Sequence, residues 1–382
     1  MNDTCVSGSY CDASRRCLTG CKFDAGSQCP LEQRCGATHA CEFGCTDATT
    51  CGATQSCQLG TCFADQWRRW NADGGLEPPA RFNHAMAVDT DRKLVVVFGG
   101  KSSLGAGTFL SDTWEWTEAG WTQNSTPVHP PGMIGHTMTY DPVRGKIVLF
   151  GGNVSASSEV LQSKTWEYDT ATHRRAELTL SGTQPPARYL HADAWDSSIS
   201  RVVIFGGDAT GQPCSNDMWS FDGASWQLVA SSGAPHAYNQ KMIFDSFRNQ
   251  RVLWGGYCNS QYFHAPYYFD GAIWQATGGT PGPQGVDWPA SVQAGVFTYV
   301  PIRRFGLYVG GLSDSGGGVT SLHRWNGTTW VGVTPITPGP GRRFYATMNW
   351  VPWLNRLMLF GGADGDSGSA VAKNETWLYG GP

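Results

Sequence analysis

Short apolar runs of about five residues alternate with polar, glycine-rich stretches along most of this chain, and one run keeps returning. Val95-Val96-Val97-Phe98-Gly99-Gly100 is echoed at Val148–Gly152, Val203–Gly207, Val252–Gly256, Leu307–Gly311 and Met358–Gly362. The steps between first glycines are 52, 55, 49, 55 and 51 residues. A period near 50 marks a repeat architecture, in which each unit buries its apolar face only against its neighbours. Each run reads as a buried strand, and the glycine pair after it lets the backbone turn or approach another segment closely.

Aligning the units on their glycine pairs predicts three further strands in each. An opening strand reaches Val88, Tyr140, Trp195, Phe244, Tyr299 or Trp350 eleven positions before the pair. Asp89, Asp141, Asp196 and Asp245 follow in four units, where a hairpin must start, so an Asx-type turn bond is their expected role. A third strand carries aromatic pairs two residues apart, which period 2 places on one face: Trp114 and Trp116, Trp166 and Tyr168, Trp219 and Phe221, Tyr267 and Phe269, Trp377 and Tyr379, with His323 and Trp325 in the fifth unit. Trp121, Trp226, Trp274 and Trp330 mark a fourth strand, reached in three units through Asp222-Gly223, Asp270-Gly271 or Asn326-Gly327, which are strong hairpin signals.

Four antiparallel strands repeated six times predict an all-β fold, a six-bladed β-propeller over residues 65–382. The glycine pairs, the aromatic pairs, the spaced tryptophans and the Arg81-x-x-His84 and Arg188-x-x-His191 openings, with a partial match at His136, resemble the kelch repeat. The resemblance implies the propeller fold and, by itself, no particular activity. The sixth unit ends at Trp377–Pro382 without a fourth strand, while Trp70–Arg81 copies the link that follows a fourth-strand Trp. Residues near 65–71 are therefore expected to complete the last blade and remove its open edges.

Residues 1–64 differ in kind. Eleven of the thirteen cysteines lie between Cys5 and Cys62, in two complete four-cysteine units and one lacking its first cysteine. That density predicts a small disulfide-rich domain and an oxidising, secreted or cell-surface location. The dominant spacing of five suits zinc knuckles poorly. The units resemble small cysteine-rich repeats of secreted or surface proteins of bacteria such as the myxobacteria. Met1–Thr4 has neither the basic start nor the apolar core of a signal peptide, so a leader is expected upstream. Cys214 and Cys258, in the loops after the third and fourth glycine pairs, are expected to form a disulfide; free thiols or a metal site are the alternatives.

Charge narrows the partners. A net charge of −4 without a Lys/Arg run argues against nucleic acid, and no apolar stretch reaches transmembrane length. Fourteen of the seventeen tryptophans fall on repeat positions, so their abundance is no sign of sugar stacking; Trp288, outside the repeat on the expected loop face, is the candidate for ligand contact. At the strand entries, Arg81, His84, His136, Arg188, His191, Gln240 and Arg343 form a set of donors suited to a carboxylate, sugar or acidic peptide. The competing reading has them tying blades together. Asp364 and Asp366 offer a partial calcium motif, and no cofactor is indicated.

The leading functional reading is an extracellular propeller that binds a protein or glycan through its loop face. The kelch resemblance keeps open an enzyme acting on a sugar, similar to the sialic acid mutarotase or the copper oxidases built on such rings. In that reading Arg81, Arg188 and Arg343 hold an anionic sugar, and His84 or His191 moves protons. A third reading is a structural subunit that self-assembles through the cysteine-rich end.

Overall fold

The computed structural model describes residues 9–11, 17–19, 33–35, 41–43, 55–58, 61–70, 75–105, 107–276, 288–289 and 293–381. Two compact units emerge, Trp67–Tyr379 and Met1–Gln66 with Gly380–Pro382.

The larger unit is the six-bladed propeller. Blade 1 runs Ala85–Asp89, Leu94–Phe98, Thr113–Thr117 and Gly120–Asn124, all antiparallel in sequence order. Blades 2 to 5 start at Thr137–Asp141, Ala192–Asp196, Lys241–Asp245 and Val296–Val300 and repeat that order, blade 3 with an extra short strand, Arg188–Tyr189. Blade 6 has Thr347–Val351, Arg356–Phe360 and Thr376–Tyr379, and its outer strand is Trp67–Trp70. Trp67 lies opposite Tyr379 and Trp70 opposite Thr376, so the first and last strands of the propeller unit close the ring as the sequence requires.

The core lies between blades. Ala85, Ala87, Val96 and Phe98 of blade 1 pack against Met138, Tyr140, Leu149, Trp166 and Tyr168 of blade 2, and comparable clusters fill other blade interfaces. Each such large apolar side chain contributes about 1.5–3 kcal/mol when fully buried, so no blade is stable without its neighbours.

The predicted aspartates act as expected. Asp89 Oδ1 accepts the Asp91 and Arg92 amides, Asp141 those of Val143 and Arg144, Asp196 that of Ser198, and Asp245 those of Phe247 and Arg248. Blades 5 and 6 have Val300 and Val351 there, and turn instead through Pro301–Arg303 and Pro352–Leu354, each closed by a left-handed residue, Arg304 or Asn355.

In the smaller unit, three short hairpins place cysteines opposite one another: Cys11 and Cys17, Cys35 and Cys41, Cys57 and Cys62. The disulfides expected there, and assembly through that end, fall outside the described residues. Among the described residues no helix is long and apolar enough to cross a membrane.

Candidate functional site

The loop face is built where each strand entry meets the loop after a glycine pair. Isolated bridges join Phe82 to Lys101, Ile134 to Asn153, Tyr238 to Tyr257 and Phe344 to Ala363, so the two kinds of segment emerge side by side. The residues before the entry histidines or their equivalents, Asn83, Gly135, Leu190, Asn239, Ala294 and Tyr345, are all left-handed, with φ between 53° and 64°. The Asn83 amide donates to the Tyr345 carbonyl at 2.9 Å, Gly135 to Asn83 at 3.0 Å, Leu190 to Gly135 at 2.7 Å, Asn239 to Leu190 at 2.9 Å and Tyr345 to Ala294 at 2.7 Å. This belt of backbone bonds rims the channel mouth. Asn239 Nδ2 also donates to the Tyr345 hydroxyl at 3.2 Å, reaching past blade 5.

The expected ring of free donors is not what the structure builds. Arg81 has no exposed surface: it grips Asp112 through two bonds of 2.8 Å and donates to the Gly99 carbonyl at 3.0 Å. Arg188 grips Asp217 at 2.6 and 2.7 Å and donates to the Gly206 carbonyl at 2.8 Å. Arg343 pairs with Glu375. The same acids accept the indole N–H of Trp114, Trp219 and Trp377, giving three Arg–acid–Trp clusters that tie strand entry to third strand. Burial works against ionisation of Asp112 and Asp217, but the arginine bonds outweigh it and hold both carboxyls below the usual range. An acid two residues before the third-strand aromatic occurs in the units that have the entry arginine, a pairing readable in the sequence once the roles are known.

The histidines are equally occupied. His84, His136 and His191 set their rings edge-on to Phe360, Phe98 and Phe150 of the preceding blade, at centroid distances of 5.3, 5.5 and 5.7 Å. Each ring lies against a glycine whose Cβ would come within 2.6–2.8 Å of it: Gly361, Gly99 and Gly151. Gln240 takes the same place over Gly206, and Trp288 packs on Trp254 at 5.7 Å, away from the channel. The glycine pair and the entry histidine are thus two halves of one inter-blade contact.

Two further candidates are resolved. Cys214 and Cys258 form a disulfide with Cα atoms 5.9 Å apart, joining the loops of blades 3 and 4. Asp364 and Asp366 lie beside cationic side chains: Lys373 stands 3.3 Å from Asp364, and Arg342 holds Asp366 at 2.9 Å. Among the described residues no group of three or more His, Cys, Asp or Glu side chains gathers as a metal site requires.

The loop face does gather a patch that sequence reasoning missed. Tyr238 and Tyr257 meet edge to face at 5.6 Å, and Tyr257 and Tyr262 lie 4.8 Å apart. Burial, with Tyr257, Tyr345, Asp208 and Tyr262 nearby, pushes the Tyr238 hydroxyl up to about 12. Tyr189 donates to Glu159 at 2.8 Å, and the Tyr262 hydroxyl to the Asp314 carbonyl at 3.1 Å. All five tyrosines are half-buried. Acids Glu159, Asp208 and Asp314 border them. These residues come from different units, so nothing in their spacing announces the patch.

Along the axis the first strands enclose a cavity of about 490 Å³. Its walls mix Ala, Met, Val and aromatic side chains with polar ones, among them Thr137, Thr139, Asp193, Lys241, Thr298 and Asn349. Several of these stitch one blade to the next. Thr298 donates to the Met348 carbonyl at 2.6 Å, Asn349 to the Met86 carbonyl at 2.8 Å, and Thr139 to Asp193 at 2.5 Å. Burial raises Asp193 to about 6 and lowers Lys241.

Ring closure, glycine–histidine contacts and Arg–acid–Trp clusters together define a kelch-type propeller. The chain belongs to the Kelch-repeat family: residues 135–362, more than half of it, match the KLHDC2/KLHL20/DRC7 Kelch-repeats domain. It is similar to dynein regulatory complex subunit 7 of Chlamydomonas reinhardtii, 28% identical over 128 residues, which are 32% of this chain and 10% of that protein. The chain thus spans about a tenth of that relative's length. Among solved structures, that of YjhT superposes with a TM-score of 0.60 at 15% identity, covering 78% of this chain and 95% of that one, a likeness of fold alone.

Proposed function

We propose that this chain is an extracellular binding propeller that docks a basic segment of a protein partner on the tyrosine patch of its loop face. The observation that carries the reading is the gathering of Tyr189, Tyr238, Tyr257, Tyr262 and Tyr345 beside Glu159, Asp208 and Asp314. Tyrosine supplies large contact area at low entropic cost, and its ring faces attract Arg and Lys. The Cys214–Cys258 link supports an oxidising location and ties blade 3 to blade 4, which carries Tyr257 and Tyr262. The sugar-enzyme reading loses its anion-holding arginines, since those guanidiniums face acids inside the blades.

The reading is tested by selecting peptides from a random library on the immobilised protein and measuring their affinity against salt. Selected peptides are expected to be rich in Arg and Lys, to weaken about tenfold between 0.05 and 0.5 M salt, and to lose binding to Tyr257→Ala/Tyr262→Ala protein of unchanged melting temperature. Selection of peptides without basic residues, of glycans in place of peptides on an array, or retention by the double variant contradicts it.

A further inference from the structure

The channel departs from the repeat at two places on adjacent blades. Three residues before the end of each first strand stand Met86, Met138, Asp193, Met242, Phe297 and Met348. Blade 3 alone has a carboxylate there. One position earlier stand Ala85, Thr137, Ala192, Lys241, Val296 and Thr347, and blade 4 alone has a cation.

Asp193 accepts the Thr139 hydroxyl of blade 2, whereas Lys241 makes no such stitch. At the lysine's position, Thr137 bonds the His191 ring at 2.9 Å and Thr347 the His84 ring at 2.7 Å, stitching each blade to the next. Lys241 faces a blade whose corresponding entry residue is Gly295, which has no side chain to bond it. Its ammonium makes no hydrogen bond or ion pair with any described residue, although Asp193 is the one opposite charge that acts on it. The two charges line the same cavity without touching. Nearby, blade 1 has Ala85 at the position from which Thr137 and Thr347 reach a histidine ring, so buried His136 has no threonine partner.

A half-buried carboxylate and ammonium that face one cavity without meeting are each costly, and either alone would be better replaced by the repeat residue. A guest carrying both charges satisfies both at once and adds no net charge. We propose that the channel binds a small zwitterion of the α-amino-acid type, its carboxylate on the Lys241 ammonium and its ammonium on the Asp193 carboxylate. Met138, Met242 and Phe297 supply apolar wall for its side chain, and the volume suits a small organic ligand. With the loop-side mouth belted by backbone bonds and bridged by Asn239 and Tyr345, the guest enters from the opposite end, among Thr90, Pro142, Ser197, Ser246, Pro301 and Pro352.

The test screens the twenty amino acids singly at 10 mM by thermal shift on the full chain, with calorimetry on any that raise the melting temperature. For a binder, the amide that lacks the carboxylate and the acid that lacks the amine are expected to bind at least tenfold more weakly. Asp193→Met and Lys241→Thr, each placing the residue that other blades carry, are expected to abolish binding while the propeller still folds. Asp193→Asn provides an isosteric check should Asp193→Met fail to fold, and is expected to weaken binding at least tenfold. The proposal is overturned if no amino acid binds, if the amine-free acid binds as well as its parent, or if binding survives these substitutions.

Discussion

Replacing both channel charges by the repeat residues, Asp193→Met with Lys241→Thr, should stabilise the protein. The Asp193 carboxyl is raised from 3.8 to about 6 by burial, with the Thr139 bond and Lys241 only partly offsetting it. At about 1.36 kcal/mol per pKa unit, keeping it ionised costs the folded state about 3 kcal/mol at neutral pH. The sign follows from the raised value. Asp193 is no burden below pH 4, where it is protonated folded or unfolded, and its full cost is reached above pH 6. The double variant should therefore match wild type more closely at pH 4 and gain most at pH 8. Burial also pushes His136 and His191 down, so neither supplies a cation near Asp193 at pH 7. Thr139 loses its acceptor, which returns about 1 kcal/mol. The net gain at pH 8 is expected to be about 2 kcal/mol, which in so large a domain is roughly 2–6 °C. Urea unfolding at pH 4, 6 and 8 measures it. A double variant less stable than wild type at pH 8, or a difference that does not grow with pH, refutes the argument that the pair is a burden kept for a ligand.

The remaining predictions concern the scaffold and are read by equilibrium unfolding. Arg188→Ala leaves Asp217 buried and unpaired, and should cost about 3–5 kcal/mol, more than removing exposed Arg174; equal small effects would contradict the cluster's role. Gly100→Ala places a Cβ 2.8 Å from His84 at φ +95°, and should cost at least about 2 kcal/mol by strain alone. Cys214→Ser with Cys258→Ser removes a link of sequence separation 44, worth up to about 4 kcal/mol by loop entropy. Reductant should reproduce that loss in wild type and do nothing further to the double variant's propeller.

The repeat, the blade count, the ring closure through Trp67–Trp70 and the turn role of the aspartates were all written in the sequence. They follow from strand period and turn chemistry, which act between near neighbours and leave a regular mark. The entry residues were legible as positions but not as contacts. Arg81 and His84 have the chemistry of ligand donors, and only the fold shows Arg81 turned inward to Asp112 and His84 laid against Gly361 of blade 6.

Two things belong to the tertiary structure alone. The tyrosine patch joins Tyr189, Tyr238, Tyr257, Tyr262 and Tyr345 from the strand entries and loops of several blades, and a ring brings such segments together at no fixed spacing. Asp193 and Lys241 were visible as letters, yet strangers to each other across 48 positions until the ring set them on adjacent walls of one channel. Sequence order determines which residues share a strand. Closure of the ring decides which charges share a cavity, because only there does burial turn an ordinary Asp and Lys into groups in need of a partner.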